Sequence, residues 1–170
     1  SANNWCYNII VTGRTKQAAH RYVPPVYHRK RKRGTLMNIQ KFTQKSVEAI
    51  NDCEKLAYEY GNQEIEQEHL LVALLRQEDG LIPKLIEKME IQKEHFVDNA
   101  ERHLAARVKV SGGQVYVGQD LNKVLIHAED EAKQMGDEYV SVEHLFLALI
   151  KYPNKALKEI FKEYGITRER

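Results

Sequence analysis

Apolar residues recur at three- and four-residue steps along much of the chain, which is the spacing of an amphipathic α-helix. One such stripe ends at Gly61 and another at Gly136. Glycine readily takes the left-handed conformation that closes a helix. Only residues 114–117 alternate briefly, as a strand would. We therefore predict an all-α fold. The two stripes are Val47, Ile50, Cys53, Ala57 and Tyr60, and Leu121, Val124, Leu125, Ala128, Ala132 and Met135.

Two further segments, residues 70–75 and 145–150, are apolar on nearly every side. A short helix without a polar face has to be buried at the centre of the fold. More helices are predicted over residues 81–89, 92–107 and 154–164. The buried face of the 92–107 helix is predicted to consist of Phe96, Ala100, Leu104 and Val108.

The chain repeats itself. The tripeptide Glu-His-Leu at residues 68–70 recurs 75 residues later, at residues 143–145, and an apolar run follows it both times. The same offset relates Ala57 to Ala132 without any insertion. Such self-similarity indicates a duplicated structural unit. We predict about eight helices in two pseudo-twofold-related repeats, at about residues 42–108 and 117–170.

Charge divides the 170 residues into two parts. Residues 1–36 contain eight basic and no acidic residues, whereas residues 37–170 contain 18 basic and 24 acidic ones, a net charge of −6. Two consecutive prolines and the basic run at residues 29–33 disfavour regular structure in the first part. We predict that residues 1–36 are a disordered leader or extension, and that residues 37–170 form the helical domain.

Candidate chemistry is sparse. No stretch matches the phosphate-binding pattern G-x-x-x-x-G-K-[ST], and no Cys/His cluster has the spacing of a metal site. The chain itself is therefore predicted not to be an enzyme. Its two cysteines, Cys6 and Cys53, cannot form a disulfide framework, which favours a reducing, cytoplasmic compartment. Cys53 lies on an apolar helix face and is predicted to be buried.

The Glu-His pairs need a separate interpretation, because both residue types perform acid–base catalysis. Adjacent residues on a helix do not face each other, so a relay from Glu68 to His69 or from Glu143 to His144 is geometrically poor. Ser141 is a good helix N-cap, and Glu66 occupies the equivalent, weaker position. We interpret the pairs as first-turn residues whose imidazole holds a neighbouring loop.

These features resemble the amino-terminal domain of Clp-family AAA+ chaperones. The resemblance covers residues 37–170 and is greatest to the ClpB type. It implies a flexible connection to ATPase modules that form a hexameric ring and bind ATP and Mg²⁺, outside this chain. The residues that carry it are Phe42-Thr43, Gly61-Asn62, the two Glu-His-Leu segments, Ser111-Gly112-Gly113, and Gly136-Asp137-Glu138-Tyr139-Val140-Ser141.

The resemblance also implies a function, namely the binding of unfolded or aggregated polypeptides, with Thr43, Asp137 and Glu143 as the substrate-binding residues. Thr43 and Asp137 have equally good structural roles, as an N-cap and a turn residue. Two alternatives stay open. The domain could dock adaptors for a ClpC- or ClpA-type protease unfoldase, or the basic residues 1–36 could bind nucleic acid. The acidic body disfavours nucleic acid.

Overall fold

The computed structural model describes residues 39–166. The predicted basic tail, residues 1–36, lies outside the described residues. Within residues 39–166 the protein has seven α-helices, a 3-10 helix at Ile39–Lys41 and two strands of two residues each. The predicted all-α class is therefore confirmed for the described part of the chain.

The helices repeat along the chain with the predicted offset. The first two helices of the second copy begin and end 75 residues after their counterparts in the first copy. The elements in chain order are α1 (Gln44–Glu59), β1 (Glu64–Ile65), α2 (Gln67–Arg76), α3 (Leu81–Lys88), α4 (Lys93–Ala105), β2 (Tyr116–Val117), α5 (Gln119–Gln134), α6 (Val142–Lys151) and α7 (Lys155–Glu163).

In both copies a glycine in the left-handed region closes the long first helix. Gly61 follows α1 with φ 68°, and Gly136 follows α5 with φ 70°. The N–H of the next residue then bonds back to a helix carbonyl at 2.8 Å in each copy. A side chain at either glycine would strain this turn. The positive φ therefore explains why each helix ends at its predicted glycine.

The two copies meet through short stretches of parallel backbone pairing. Ile65 of β1 lies opposite Val117 of β2. Shifting each by 75 positions gives Val140 and Phe42, which form an isolated parallel bridge. Each contact thus reappears with the copies exchanged, as at a two-fold interface. We call residues 63–68 with 116–121 the first junction, and their counterparts, residues 138–143 with 41–46, the second junction.

Helices α2 and α6 lie at the centre of the core. Every residue from Gln67 to Leu75 and from His144 to Ile150 is buried. Helix α2 packs against helices of its own copy, α1, α3 and α4, and of the other copy, α5, α6 and α7. The predicted central burial of the two apolar helices is therefore confirmed.

Helix α2 begins with a cap built by Glu66 and His69. The Glu66 carboxylate accepts the Gln67 N–H at 3.3 Å, and Nδ1 of His69 accepts the Glu66 N–H at 2.9 Å. Nε2 of His69 therefore carries the proton and donates to Oδ1 of Asn62 at 3.0 Å. The imidazole holds the neighbouring loop, as predicted. Burial, together with the charge of Arg107, lowers the pKa of His69 to about 4.

One predicted core position is wrong. Helix α4 ends at Ala105, and Val108 is 81% exposed instead of lying on its buried face. The chain leaves the helix because the Val108 carbonyl accepts a hydrogen bond from the Asn62 side chain at 3.1 Å. The backbone of Val110 then bonds to the Gly61 carbonyl at 2.9 Å. Residues 108–110 therefore run along the first copy's loop, with Val108 facing outward.

Truncating the central leucines tests the equivalence of the two copies. Leu70 and Leu145 both have 0% exposure, so Leu70→Ala and Leu145→Ala should each lower the free energy of unfolding by about 2–5 kcal/mol. Denaturant unfolding followed by circular dichroism measures this loss. The control Val108→Ala should change it by less than about 0.5 kcal/mol. A small loss at only one leucine would contradict their equivalent placement.

The buried imidazole of His69 should stay neutral down to about pH 4, since its charged form is desolvated and faces Arg107. The unfolded imidazole titrates near pH 6.5. The stability that the fold gains from keeping this imidazole neutral is therefore complete above pH 6.5 and is lost as the pH falls towards 4. An NMR titration of the imidazole resonances measures the midpoint, and a value near 6.5 would refute the buried, neutral state.

Candidate functional site

The second copy repeats the histidine cap with an acid in the loop. Nδ1 of His144 accepts the Ser141 N–H at 2.9 Å, and Nε2 contacts Oδ2 of Asp137 at 2.9 Å. Because Nδ1 accepts, Nε2 is the donor in this pair. Ser141 is the N-cap of α6, as predicted. Asp137 stands where the first copy has Asn62, and it orients the imidazole that caps α6.

Thr43 caps α1 and belongs to the second junction. Its Oγ1 accepts the Ser46 N–H at 3.4 Å, and its own N–H donates to the Val140 carbonyl at 2.9 Å. The Ser46 hydroxyl donates to the same carbonyl at 2.7 Å. The beginning of α1 is thereby fastened to the loop that precedes α6.

The three residues implied by the family resemblance all belong to this region. Thr43 is bonded to Val140, while Asp137 and Glu143 lie three residues before and three residues after Val140. The first two have structural hydrogen bonds, which fits the roles predicted for an N-cap and a turn residue. Their contribution to substrate binding stays a prediction.

Glu143 differs from its counterpart Glu68 in the use of its carboxylate. Glu68 is 3% exposed and accepts hydrogen bonds from the guanidinium of Arg107 and the side-chain amide of Asn154. Glu143 is half-buried as a residue, but its Oε2 atom is itself buried and has no hydrogen-bond partner among residues 39–166. The two glutamates occupy equivalent places on equivalent helices, but their carboxylates differ in hydrogen bonding.

The surroundings explain the difference. Arg107 comes from the turn after α4, and residues 39–166 contain no counterpart of α4 in the second copy. The counterpart of Asn154 is Asp79, whose carboxylate has no N–H to offer. A carboxylate oxygen without a donor gains free energy when a donor is supplied. The Glu143 carboxylate therefore keeps an acceptor that no donor in the described part of the chain satisfies, and this acceptor is buried.

An exposed aromatic ring lies in the same junction. Tyr139 directly precedes Val140 and is 40% exposed, whereas its counterpart in the first junction is Glu64. A tyrosine ring offers an apolar body together with a polar tip. The sequence reasoning did not single out Tyr139. The available signal was an aromatic residue in an otherwise polar loop.

A narrow apolar recess opens between α1 and α5, next to the first junction. None of the three residues implied by the resemblance lines it. Cys53 lies in its wall, and burial raises the pKa of the Cys53 thiol, so the predicted burial of this cysteine is confirmed. The recess is lined by Ile50, Cys53, Glu54, Ile65, Leu70, Val117, Leu121 and Leu125.

Within residues 39–166, no group of three or more His, Cys, Asp or Glu side chains is placed to hold a metal ion. None of the helices described here has both the length and the apolar character needed to cross a bilayer.

Sequence comparison identifies relatives of the chain. The family described as Clp repeat (R) N-terminal domain matches residues 41–164. A protein named chaperone protein ClpB, from Nitratidesulfovibrio vulgaris, is 43% identical over 140 residues. That alignment covers 79% of this chain and 16% of the relative. The chain thus spans a small part of the length of the curated relative that it matches.

Solved structures share the fold. The Hsp104 N-terminal domain from Candida albicans has a TM-score of 0.67 and 25% identity, covering 74% of this chain and 82% of that one. A ClpV N-domain in complex with a VipB peptide has a TM-score of 0.59 and 18% identity, covering 82% and 89%. Because the family match includes almost all of the described residues and the solved relatives have the same architecture, the chain belongs to the Clp repeat N-terminal domain family.

Proposed function

We propose that this domain is the N-terminal substrate-binding domain of a ClpB-type, ATP-dependent protein disaggregase, and that it engages unfolded or aggregated polypeptides. The ClpB relative and the Hsp104 domain support the disaggregase assignment. ATP and Mg²⁺ would bind the AAA+ modules of the parent polypeptide, a hexameric ring that receives the substrate. We also propose that the parent protein is cytoplasmic.

The observation that carries the proposal is the unused acceptor of Glu143. Its equivalent, Glu68, is held by two donors, whereas Oε2 of Glu143 has none among residues 39–166. An unfolded polypeptide carries backbone N–H groups, and often basic side chains, without intramolecular partners. Because Oε2 is buried, the Glu143 side chain has to turn outward before such a donor can reach it, and this turn breaks no hydrogen bond of Oε2 among residues 39–166.

Weak, sequence-tolerant binding follows from the chemistry of the second junction. The exposed ring of Tyr139 offers a modest apolar area, and burial of such area against a substrate is favourable at about 25 cal/mol per Å². The net charge of −6 over residues 37–170 attracts basic segments. A modest affinity suits a domain that has to pass its substrate on.

Adaptor docking is the second candidate function. It is favoured by the ClpV neighbour, whose complex contains one particular peptide, from VipB. A docked adaptor would present a defined segment to the same junction. The two functions differ in one measurable respect, because a dedicated adaptor site has no affinity for an unrelated unfolded protein.

Glu143→Gln tests the proposed substrate site. The substitution removes the charge and keeps the shape, so the affinity for an unfolded probe should fall by about tenfold, the value of one charge-assisted hydrogen bond. The melting temperature should stay unchanged, because Oε2 has no donor to lose among residues 39–166. Fluorescence anisotropy with reduced, alkylated lysozyme as the probe measures the affinity of the full chain.

Glu159→Gln is the matched control. Glu159 is exposed on α7, so this variant loses the same charge away from the second junction. Its affinity should equal that of the wild type. Equal weakening by both substitutions would mean general electrostatic attraction and would refute the site. A melting shift in Glu143→Gln would assign the residue a structural role, and no probe binding by the wild type would favour adaptor docking.

A further inference from the structure

A buried carboxyl group joins the two copies at the first junction. Glu66 is 5% exposed. Its Oε2 accepts the N–H of Gln67, in the first turn of α2, at 3.3 Å and the N–H of Leu121, in the first turn of α5, at 3.0 Å. A single oxygen thus ties together the N-termini of two helices from different copies. Both helix ends carry partial positive charge, so they favour an acceptor at this position.

A second carboxyl group lies against the first one. A Cβ atom added to Gly118 would lie 1.7 Å from Oε1 of Glu66 and 2.6 Å from Oε1 of Glu64. Both oxygens therefore occupy the space above this glycine, which only a residue without a side chain leaves open. Burial, a hydrogen bond with the Glu64 carboxyl and the nearby Asp120 raise the pKa of Glu66 to about 7. Two carboxyl groups this close share one proton more readily than they both ionise.

The other charges around Glu66 do not compensate for it. Nη2 of Arg107 lies 3.8 Å from Oε2 of Glu64, and its Nη1 is bonded to Glu68. His69 stays neutral above about pH 4, so it brings no positive charge near neutral pH. The charged and titratable groups around Glu66 are Glu64 and Asp120, which act on its carboxyl, His69, which accepts its backbone N–H, and Arg107, which contacts Glu64 and Glu68.

The second junction has the same backbone without the carboxyl pair. The counterparts there of Glu66, Glu64, Asp120 and Gly118 are Ser141, Tyr139, Lys45 and Thr43. Its backbone pairing is nevertheless equivalent, since the Thr43 N–H bonds to Val140 at 2.9 Å and the Gly118 N–H bonds to Ile65 at 2.8 Å. The molecule therefore contains an internal control, namely a junction with the same backbone pairing and no carboxyl pair.

The backbone segments that the carboxyl pair joins also form walls of the apolar recess between α1 and α5. Ile65 lies between Glu64 and Glu66 in the chain, Val117 precedes Gly118, and both line the recess. Leu121, whose N–H is held by Glu66, lines it as well. Separation of β2 and the start of α5 from β1 would move these walls apart.

We propose that Glu64 and Glu66 form a proton-dependent latch between the two copies, which closes the apolar recess when the pair holds a proton and loosens it when that proton is lost. With one proton, Glu66 can bond to Glu64 while Oε2 accepts from both helices. Release of the proton to water leaves two adjacent anions beside Asp120, and their repulsion favours local opening. The stabilisation of the first junction by the protonated pair is therefore lost as the pH rises through about 7.

Amide hydrogen exchange of the full chain, measured by NMR at pH 6 and pH 8 and corrected for intrinsic rates, tests the latch. The reporters are the N–H groups of Gly118 and Tyr116, which bond to Ile65 and Gln63 across the first junction. Their protection should fall by about tenfold between the two pH values, because opening releases the proton over the one pH unit below the midpoint near 7 and protection levels off above it. The Thr43 N–H of the second junction should change by less than about twofold.

Two variants keep the test decisive. Glu66→Gln retains an acceptor for both helices and an N–H for Glu64, so it mimics the protonated pair and should abolish the pH dependence. Glu64→Gln removes the like charge and should do the same, which covers the case in which Glu66→Gln does not fold. The latch is refuted if the wild-type protection is equal at both pH values, if both variants keep the drop, or if Thr43 loses protection equally.

The thiol of Cys53 provides an independent readout, because it lies in the wall of the recess. In a Cys6→Ser background, its labelling by a disulfide reagent should rise more steeply from pH 6 to pH 8 than in the same background with Glu66→Gln. The comparison cancels the ordinary pH dependence of thiol ionisation. Identical pH profiles in the two proteins would show that the latch does not control access to the recess.

Discussion

Helices α2 and α6 have no polar face, and the remaining elements are arranged to cover them. One copy alone supplies α2 with α1, α3 and α4, and the rest of its surface is covered by α5, α6 and α7 of the other copy. Burial of a helix that is apolar all round therefore requires both repeats. The reciprocal pairings of Ile65 with Val117 and of Val140 with Phe42 hold the repeats in register. The pseudo-twofold arrangement is thus a consequence of core burial.

Duplication provided two backbone junctions with the same hydrogen bonds, and the side chains on them have diverged. The first junction contains Glu66, which ties two helices together, where the second has Ser141. Glu68 is locked by donors, whereas Glu143 keeps an oxygen without a partner among residues 39–166. Such divergence costs the fold little, because the junction backbones are held by main-chain hydrogen bonds. The first junction is therefore tied by side chains, whereas the second leaves one buried carboxylate oxygen without a donor among residues 39–166.

Several details of the fold escaped the sequence pattern for identifiable reasons. Val108 continues the helical spacing of α4, but a hydrogen bond from Asn62, 46 residues away, draws the chain out of the helix. Strand β1 has only two residues, too few for alternation to be visible, and exists through its pairing with β2. Glu66 was expected to be a weak cap. It is effective because it also accepts the N–H of Leu121, 55 residues away.

The amino-acid sequence by itself determined the duplication, the helices, their buried faces and the family, because periodicity and capping are encoded within a few neighbouring residues. It also indicated the histidine caps, whose partners lie three and seven residues away. Only the tertiary structure decided which of two identical Glu-His-Leu segments keeps a carboxylate oxygen without a donor among residues 39–166. The donors that lock Glu68 are 39 and 86 residues distant in the chain, and their approach depends on how the repeats pack.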